Sequence, residues 1–267
     1  MEFRDLRGLI DSSVAYEIAG QEPGVHLGVP SPTVTLVVDL RDGLDVAGPG
    51  LDGVQRFRVC LGGMHHVPYR IHHDGSQRGV QLGLTPDGVR ALFGLPVAEL
   101  SHTCVEAADV AGALGAELHE RLAEASVGER GRVAVEVLAA HLVPDGHARR
   151  PRLTDASCRA QPDAAAAWAM ILRTGGRVTV RELTERSGWS ARYLTAKFNA
   201  EYGMGLKQAA RLVRFDRALA DLRRGMAVAA AAQAHGYADQ SHLSREFRGF
   251  LSVPPGEYLA RRELAEL

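Results

Sequence analysis

Apolar positions along this chain recur at two different spacings, and the switch between them divides it. Before residue 85 they come in short β-branched or alternating runs separated by turn residues, a pattern that predicts strands. Thr33–Asp39 (TVTLVVD) is one such run, with Pro30 and Pro32 before it and Arg41-Asp42-Gly43 as a turn after it. Val54–Leu61 alternates, placing Val54, Phe57 or Val59, and Leu61 on one face and the basic Arg56 and Arg58 on the other. Val67–Ile71 and Val80–Leu84 bring the count to at least four short strands, as in an antiparallel sandwich or barrel. Pro86–Phe93 reads as a helix, because a proline in the first turn gives up an N–H that has no partner there.

Between Ala108 and Leu142 the period becomes about 3.6, through Leu114, Leu118 and Leu122 and then Val133, Val137 and Leu138. Two helices broken around Ser126-Val127-Gly128 follow, packed on the sheet or, alternatively, forming a dimer seam. Residues 146–162 make a linker, with Pro151, Pro162 and the basic pair Arg149-Arg150. Beyond it the composition shifts. The first 162 residues hold ten prolines, whereas Asp163–Val253 has none and is rich in Ala, Leu and Arg, the composition of a helical domain. Helices are expected at about 163–173, 179–187, 190–201, 206–224, 227–235, 239–250 and 255–263. The fold class is α+β in two domains. Residues 1–145 are expected to form a cupin-like, β-rich sandwich or barrel with flanking helices, and residues 163–267 an all-α domain.

Within that domain one pattern occurs twice. Ser190–Phe198 and Asp239–Phe247 each begin with a strong capping residue and carry an apolar pair four apart, Leu194/Phe198 and Leu243/Phe247. Each follows a short helix and a glycine turn, Ser187-Gly188-Trp189 or His235-Gly236-Tyr237-Ala238, which is the helix-turn-helix signature. Opposite the apolar faces lie Arg192, Thr195 and Asn199 on the first helix. Gln240, Ser241, Ser244, Arg245 and Arg248 occupy that face of the second. Gln can bridge adenine, Arg can bridge guanine, and Ser or Thr can hold phosphates. A solvated helix face is the plain alternative for either helix alone, but capping and repetition favour DNA binding. The intervening helix spans about 28 Å at 1.5 Å per residue, close to the ~34 Å between successive major grooves on one side of B-DNA.

These residues also resemble a known family. V-R-E-L-T-E-R-S-G-W-S-A-R-Y-L-T-A-K-F (180–198) resembles the first half of the AraC/XylS-type DNA-binding domain, and R-F-D-R-A (214–218) its linker helix. H-G-Y-A-D-Q-S-H-L-S-R-E-F (235–247), followed by Pro254-Pro255 and Tyr258, is similar to the second half. The resemblance covers about 100 residues; N-terminally it is loose, around Gln81–Pro86 and Gly94-Leu95-Pro96. The chain departs from the pattern at Ala196, where Arg or Lys is usual, at Ser252, where glycine is common, and at Ala231, which is smaller than usual. The resemblance implies a cytoplasmic, effector-controlled transcription regulator. Its partners would be double-stranded DNA, an unidentified small molecule, RNA polymerase and a second copy of the chain, with no membrane and no cofactor.

Charge fits that expectation. The net charge of −1 hides 15 basic against 21 acidic residues in 1–159 and 16 against 11 in 160–267, so the second part is the basic one. Cys60, Cys104 and Cys158 are widely spaced with no C-x-x-C pair, which indicates neither a zinc ribbon nor a disulfide framework and fits a reducing compartment. Met1–Asp5 is not the start of a signal peptide, and no apolar run is long enough to span a bilayer. His65, His66, His72 and His73 form an H-H-x5-H-H cluster that could bind zinc, copper or nickel. Strand neighbours point to opposite sides, so surface or pocket-lining histidines are the favoured reading. No nucleophile elbow, P-loop or dinucleotide fingerprint is present. An enzyme using metal or thiol chemistry, with Cys60 or Cys104 redox-active, is the alternative from another class. A constitutive DNA-binding protein whose N-terminal half only dimerises is a third reading.

Overall fold

The computed structural model describes residues 6, 8–142 and 161–260. Most of the expected linker, with Arg149, Arg150 and Cys158, lies outside the described residues, as do Met1–Asp5.

Nine strands are seen among the described residues: β1 (Ile10–Ile18), β2 (Gly24–Gly28), β3 (Val34–Asp39), β4 (Leu44–Ala47), β5 (Val54–Phe57), β6 (Val59–Gly62), β7 (Tyr69–His73), β8 (Gln77–Leu84) and β9 (Cys104–Glu106). They form two antiparallel sheets, one ordered β1-β8-β3-β6-β9 and the other β2-β7-β4-β5. The helices that follow are α1 (Pro86–Phe93), a 3-10 turn Val97–Leu100, α2 (Ala107–Ala111), α3 (Ala113–Glu124) and α4 (Val127–Leu142).

The two faces of the five-stranded sheet differ in chemistry. Val34, Leu36 and Val38 of β3, with Leu61 of β6 and Leu82 of β8, are fully buried and join one core with Leu114, Leu118 and Leu122 of α3 and Val137 and Leu138 of α4. The two helices therefore pack on the sheet. Each such aliphatic side chain contributes about 1.5–3 kcal/mol through burial. The inward face carries Thr35, Val37, Cys60, Gly62, Gln81 and Gly83, which are smaller or polar and leave space between the sheets.

The expected single strand Val54–Leu61 is two strands in different sheets, and Val54 is 55% exposed. The chain turns a corner at Arg58, where the Glu106 carboxylate accepts from the Arg58 and Val59 N–H groups at 2.9 and 2.8 Å. Those donors are satisfied without a continuing ladder, so the alternation in sequence runs across a bend.

The helical part comprises α5 (Pro162–Arg173), α6 (Val180–Ser187), α7 (Ala191–Tyr202), α8 (Leu206–Arg223), α9 (Val228–Ala234), α10 (Gln240–Leu251) and α11 (Pro255–Ala260). Aromatic packing centres it: Trp168 stacks on Tyr202 with ring centroids 4.8 Å apart, and Phe215 on Phe250 at 4.5 Å. It also touches the β-rich part. Arg90 of α1 and Glu201 of α7, both largely buried, form a two-pronged ion pair at 2.5 and 2.6 Å. Gly203, at φ +68, lies so close to Ser101 that a Cβ there would collide with it.

Candidate nucleic-acid interface and sensor cavity

The two helix-turn-helix units are built alike. Thr179 and Glu182 form a reciprocal capping box that starts α6, which ends at Gly188 in the left-handed conformation. Ser190 Oγ then accepts from the Tyr193 N–H to start α7. In the second unit the sharp turn is Gly236, at φ +72, and the Asp239 carboxylate accepts from the His242 N–H at 2.6 Å to start α10. Such caps stabilise a helix by about 1 kcal/mol each. Leu194, Phe198, Leu243 and Phe247 are completely buried, which turns the opposite faces outward.

On those faces Arg192, Asn199, Gln240, Ser241, Arg245 and Arg248 are exposed, while Thr195 and Ser244 are half-buried. Arg245 makes no ion pair among the described residues; its Nε donates to the Ser241 carbonyl at 3.4 Å, a bond internal to α10. The neighbouring Glu246 is inside instead, accepting from Arg211 of α8 at 2.8 Å with Arg214 at 3.7 Å, and Arg214 lies over the Tyr237 ring. This network fixes α10 against α8. Thr195 opens onto a cleft of about 580 Å³ that it shares with Lys207, Arg211 and Gly249, and with His66 from the β-rich part.

A second feature lies between the sheets, a cavity of about 390 Å³, within the range that holds small molecules. Val37, Val46 and Ile71 make its walls apolar; Thr35, Gln81, His26 and His65 add polar groups. Its remaining wall comes from the helical part, through Leu172 at the end of α5 and Val213, Asp216, Leu219 and Arg223 along α8. Cys60 and Cys104 are both buried on the sheet side of the cavity; the hydrogen bond with Cys104 and then burial push the Cys60 thiol up, while the same hydrogen bond from Cys60 holds Cys104 down. No sequence spacing pointed to Asp11, His26 or Asp216 as cavity residues, because strand pairing and helix docking bring them together.

The four clustered histidines do not converge. His65 is buried on the cavity wall with Nδ1 2.7 Å from the Val67 carbonyl, and burial holds it neutral, down to about 4. His66 packs edge-on against His102 at 4.5 Å, and His72 and His73 lie on β7 with His73 near His26. Among the described residues no group of three or more His, Cys, Asp or Glu is placed to hold a metal.

A family model described as a helix-turn-helix domain matches residues 183–261. A protein of Streptomyces lividans named as an AraC-like transcription regulator is 34% identical over 126 residues, 46% of this chain and 40% of that protein. The C-terminal part of this chain is an AraC-type helix-turn-helix domain. The matched region thus spans less than half of the curated relative. With the AraC-type domain attached to two antiparallel sheets, the fold follows solved structures of ToxT from Vibrio cholerae. One, from strain O395, has a TM-score of 0.52 at 11% identity over 96% of this chain and 98% of that one. Another, wild-type ToxT with an unsaturated fatty acid bound, has a TM-score of 0.51 at 12% identity over 93% and 94%. The curated relative carries a regulator name, which counts against the enzyme alternative. No helix among the described residues is long and apolar enough to cross a membrane.

Proposed function

We propose that this chain is a sequence-specific transcription regulator in which residues 1–145 bind a small-molecule effector and residues 163–267 bind duplex DNA. The observation that carries the reading is the position of α8. The helix joins the two helix-turn-helix units and also supplies Val213, Asp216 and Leu219 to the cavity wall. A molecule filling the cavity therefore touches the element that sets the relation between the two recognition helices. Its effect is a population shift between dockings of the two parts, and it reaches DNA only through its different affinity for each docking. ToxT with a bound fatty acid supports the idea that this architecture holds small molecules. The DNA contacts of this reading are Arg192, Thr195, Asn199, Gln240, Ser241, Ser244, Arg245 and Arg248. RNA polymerase and a second copy of the chain are its further partners, and the cytoplasm is its place of work.

The test has two stages. Selection from a random duplex library with the full chain should yield a preferred site, with affinity falling steeply as salt rises because each neutralised phosphate releases counterions. Compounds that raise the melting temperature should then change affinity for that site; one at a hundred times its Kd stabilises by about 2.7 kcal/mol. A chain without sequence preference overturns the regulator reading. Binders that never alter DNA affinity leave the N-terminal half as a scaffold.

A further inference from the structure

The open end of the cavity carries two carboxylates, Asp11 from β1 and Asp216 from α8. Among the described residues neither accepts a hydrogen bond or pairs with a cation within 4 Å. The arginines at the same rim are engaged elsewhere. Arg217 donates to the Leu172 carbonyl at the end of α5, and Arg223 donates to the Tyr258 hydroxyl and lies over its ring. Burial and the nearby Asp11 push the Asp216 carboxyl up to about 6, against the opposing pull of Arg223 and Arg217. A second, separate observation also points to a ligand. His26 lines the same cavity at 5% exposure, and both of its ring nitrogens lack a partner. A buried polar group left unsatisfied is costly, and a molecule in the cavity can remove that cost.

We infer that the cavity takes a molecule with an apolar body and a positively charged nitrogen, the nitrogen lodged between Asp11 and Asp216 at the rim. The body lies against Val37, Val46 and Ile71, and His26 offers a donor or an acceptor further in. A carboxylate head group would instead face two carboxylates, while Arg217 and Arg223 each already spend a donor on Leu172 or Tyr258 and already act on Asp216. A cation in this place joins β1 to α8, so its binding energy acts on the docking of the two parts. The inference rests on the effector reading above and specifies the chemistry of that site.

The experiment uses the full chain and three probes of one length: hexylammonium, hexanol and hexanoate, each titrated calorimetrically against wild type, Asp216→Asn and Asp11→Asn. Hexylammonium should bind about tenfold more tightly than hexanol, the size of a hydrogen bond to a charged group, with hexanoate weakest. Asp216→Asn should cut the ratio of hexylammonium to hexanol affinity several-fold, and Asp11→Asn should cut it as well. Asp11, on an exposed strand position, supplies a second variant if the first does not fold. Hexanol binding with equal or tighter hexanoate binding, or a preference that survives both substitutions, overturns the charge assignment while the cavity reading stands. Binding of none of the three overturns both.

Discussion

Ser252 occupies a left-handed backbone position, φ +64, at the C-terminal end of α10, where the AraC/XylS-type pattern that the sequence resembles commonly has glycine. The departure was visible in the sequence, and the structure supplies its physical meaning: a side chain sits where L residues are strained. Ser252→Gly should therefore stabilise the chain by about 1 kcal/mol, measured by chemical denaturation, even though glycine loosens the unfolded state. Arg245 is a different kind of residue, exposed and bonded only within its own helix, so it is free to reach a base. Arg245→Ala should cost about 1–3 kcal/mol and relax specificity at one base pair if the contact is a bidentate guanine pair. A phosphate contact would give a uniform loss and a salt slope reduced by about one. Binding of specific and scrambled duplexes at two salt concentrations separates these outcomes, and unchanged affinity on both leaves Arg245 without a role. Asp216 belongs to neither recognition helix, and its consequence is pH dependence. Its folded value near 6 exceeds the ordinary 3.8, so the unfolded chain loses this proton first and stability falls as pH rises from about 4 to 6. Asp216→Asn should stabilise the ligand-free chain at pH 7 and make no difference at pH 4. An equal gain at both values would show that the carboxylate charge is not the cause.

Helices were far more legible than strands. From α5 to α10 both boundaries, and for α11 the start, lie within a few residues of those expected, because capping residues, glycines and a 3.6-residue period all report on the local chain. The strands depend on partners distant in sequence. β1 is an edge strand whose exposed, polar Asp11, Ser12 and Ser13 conceal it, and β9 is three residues long and pairs with β6. The bend at Arg58 was hidden because its cause, Glu106, lies 48 residues away. Glu246 makes the same point within the helical part. It falls next to Arg245 in sequence, yet it is buried and fixes α10 to α8 through Arg211 and Arg214. Glu246→Gln keeps the shape and removes the charge, so it should cost about 1–3 kcal/mol of stability. It should also weaken binding at the preferred duplex without altering which base pairs are preferred. A shift in base preference would mean that Glu246 acts on DNA directly and not by holding the helix.

At the scale of the whole molecule the decisive contact is the ion pair between Arg90 and Glu201. Glu201 is 3% exposed and lies in the last turn of the first recognition helix, so the β-rich part grips α7 by its C-terminal end. Nothing in either sequence segment marked these residues as partners, since 111 positions separate them. Two charges withdrawn from water hold only while both are present, and removing one leaves the other buried at a cost of about 3–5 kcal/mol. Undocking the two parts lets both charges return to water, so a single substitution favours the undocked state. The isolated fragment 161–267 cannot dock at all. If docking governs DNA binding, the full chain and the fragment should differ in affinity for the preferred duplex, whichever of them binds more tightly. Arg90→Met in the full chain should then move its affinity to that of the fragment. Glu201→Gln should move it the same way, though less far, because the amide can still accept from Arg90. The measurement is a set of four titrations at one salt concentration, with circular dichroism confirming that each chain is folded. If the two substitutions leave the difference between full chain and fragment in place, the Arg90–Glu201 contact does not control docking, and the signal must cross through the other contacts between the parts, at Gly203–Ser101, at His66 and along the α8 face of the cavity.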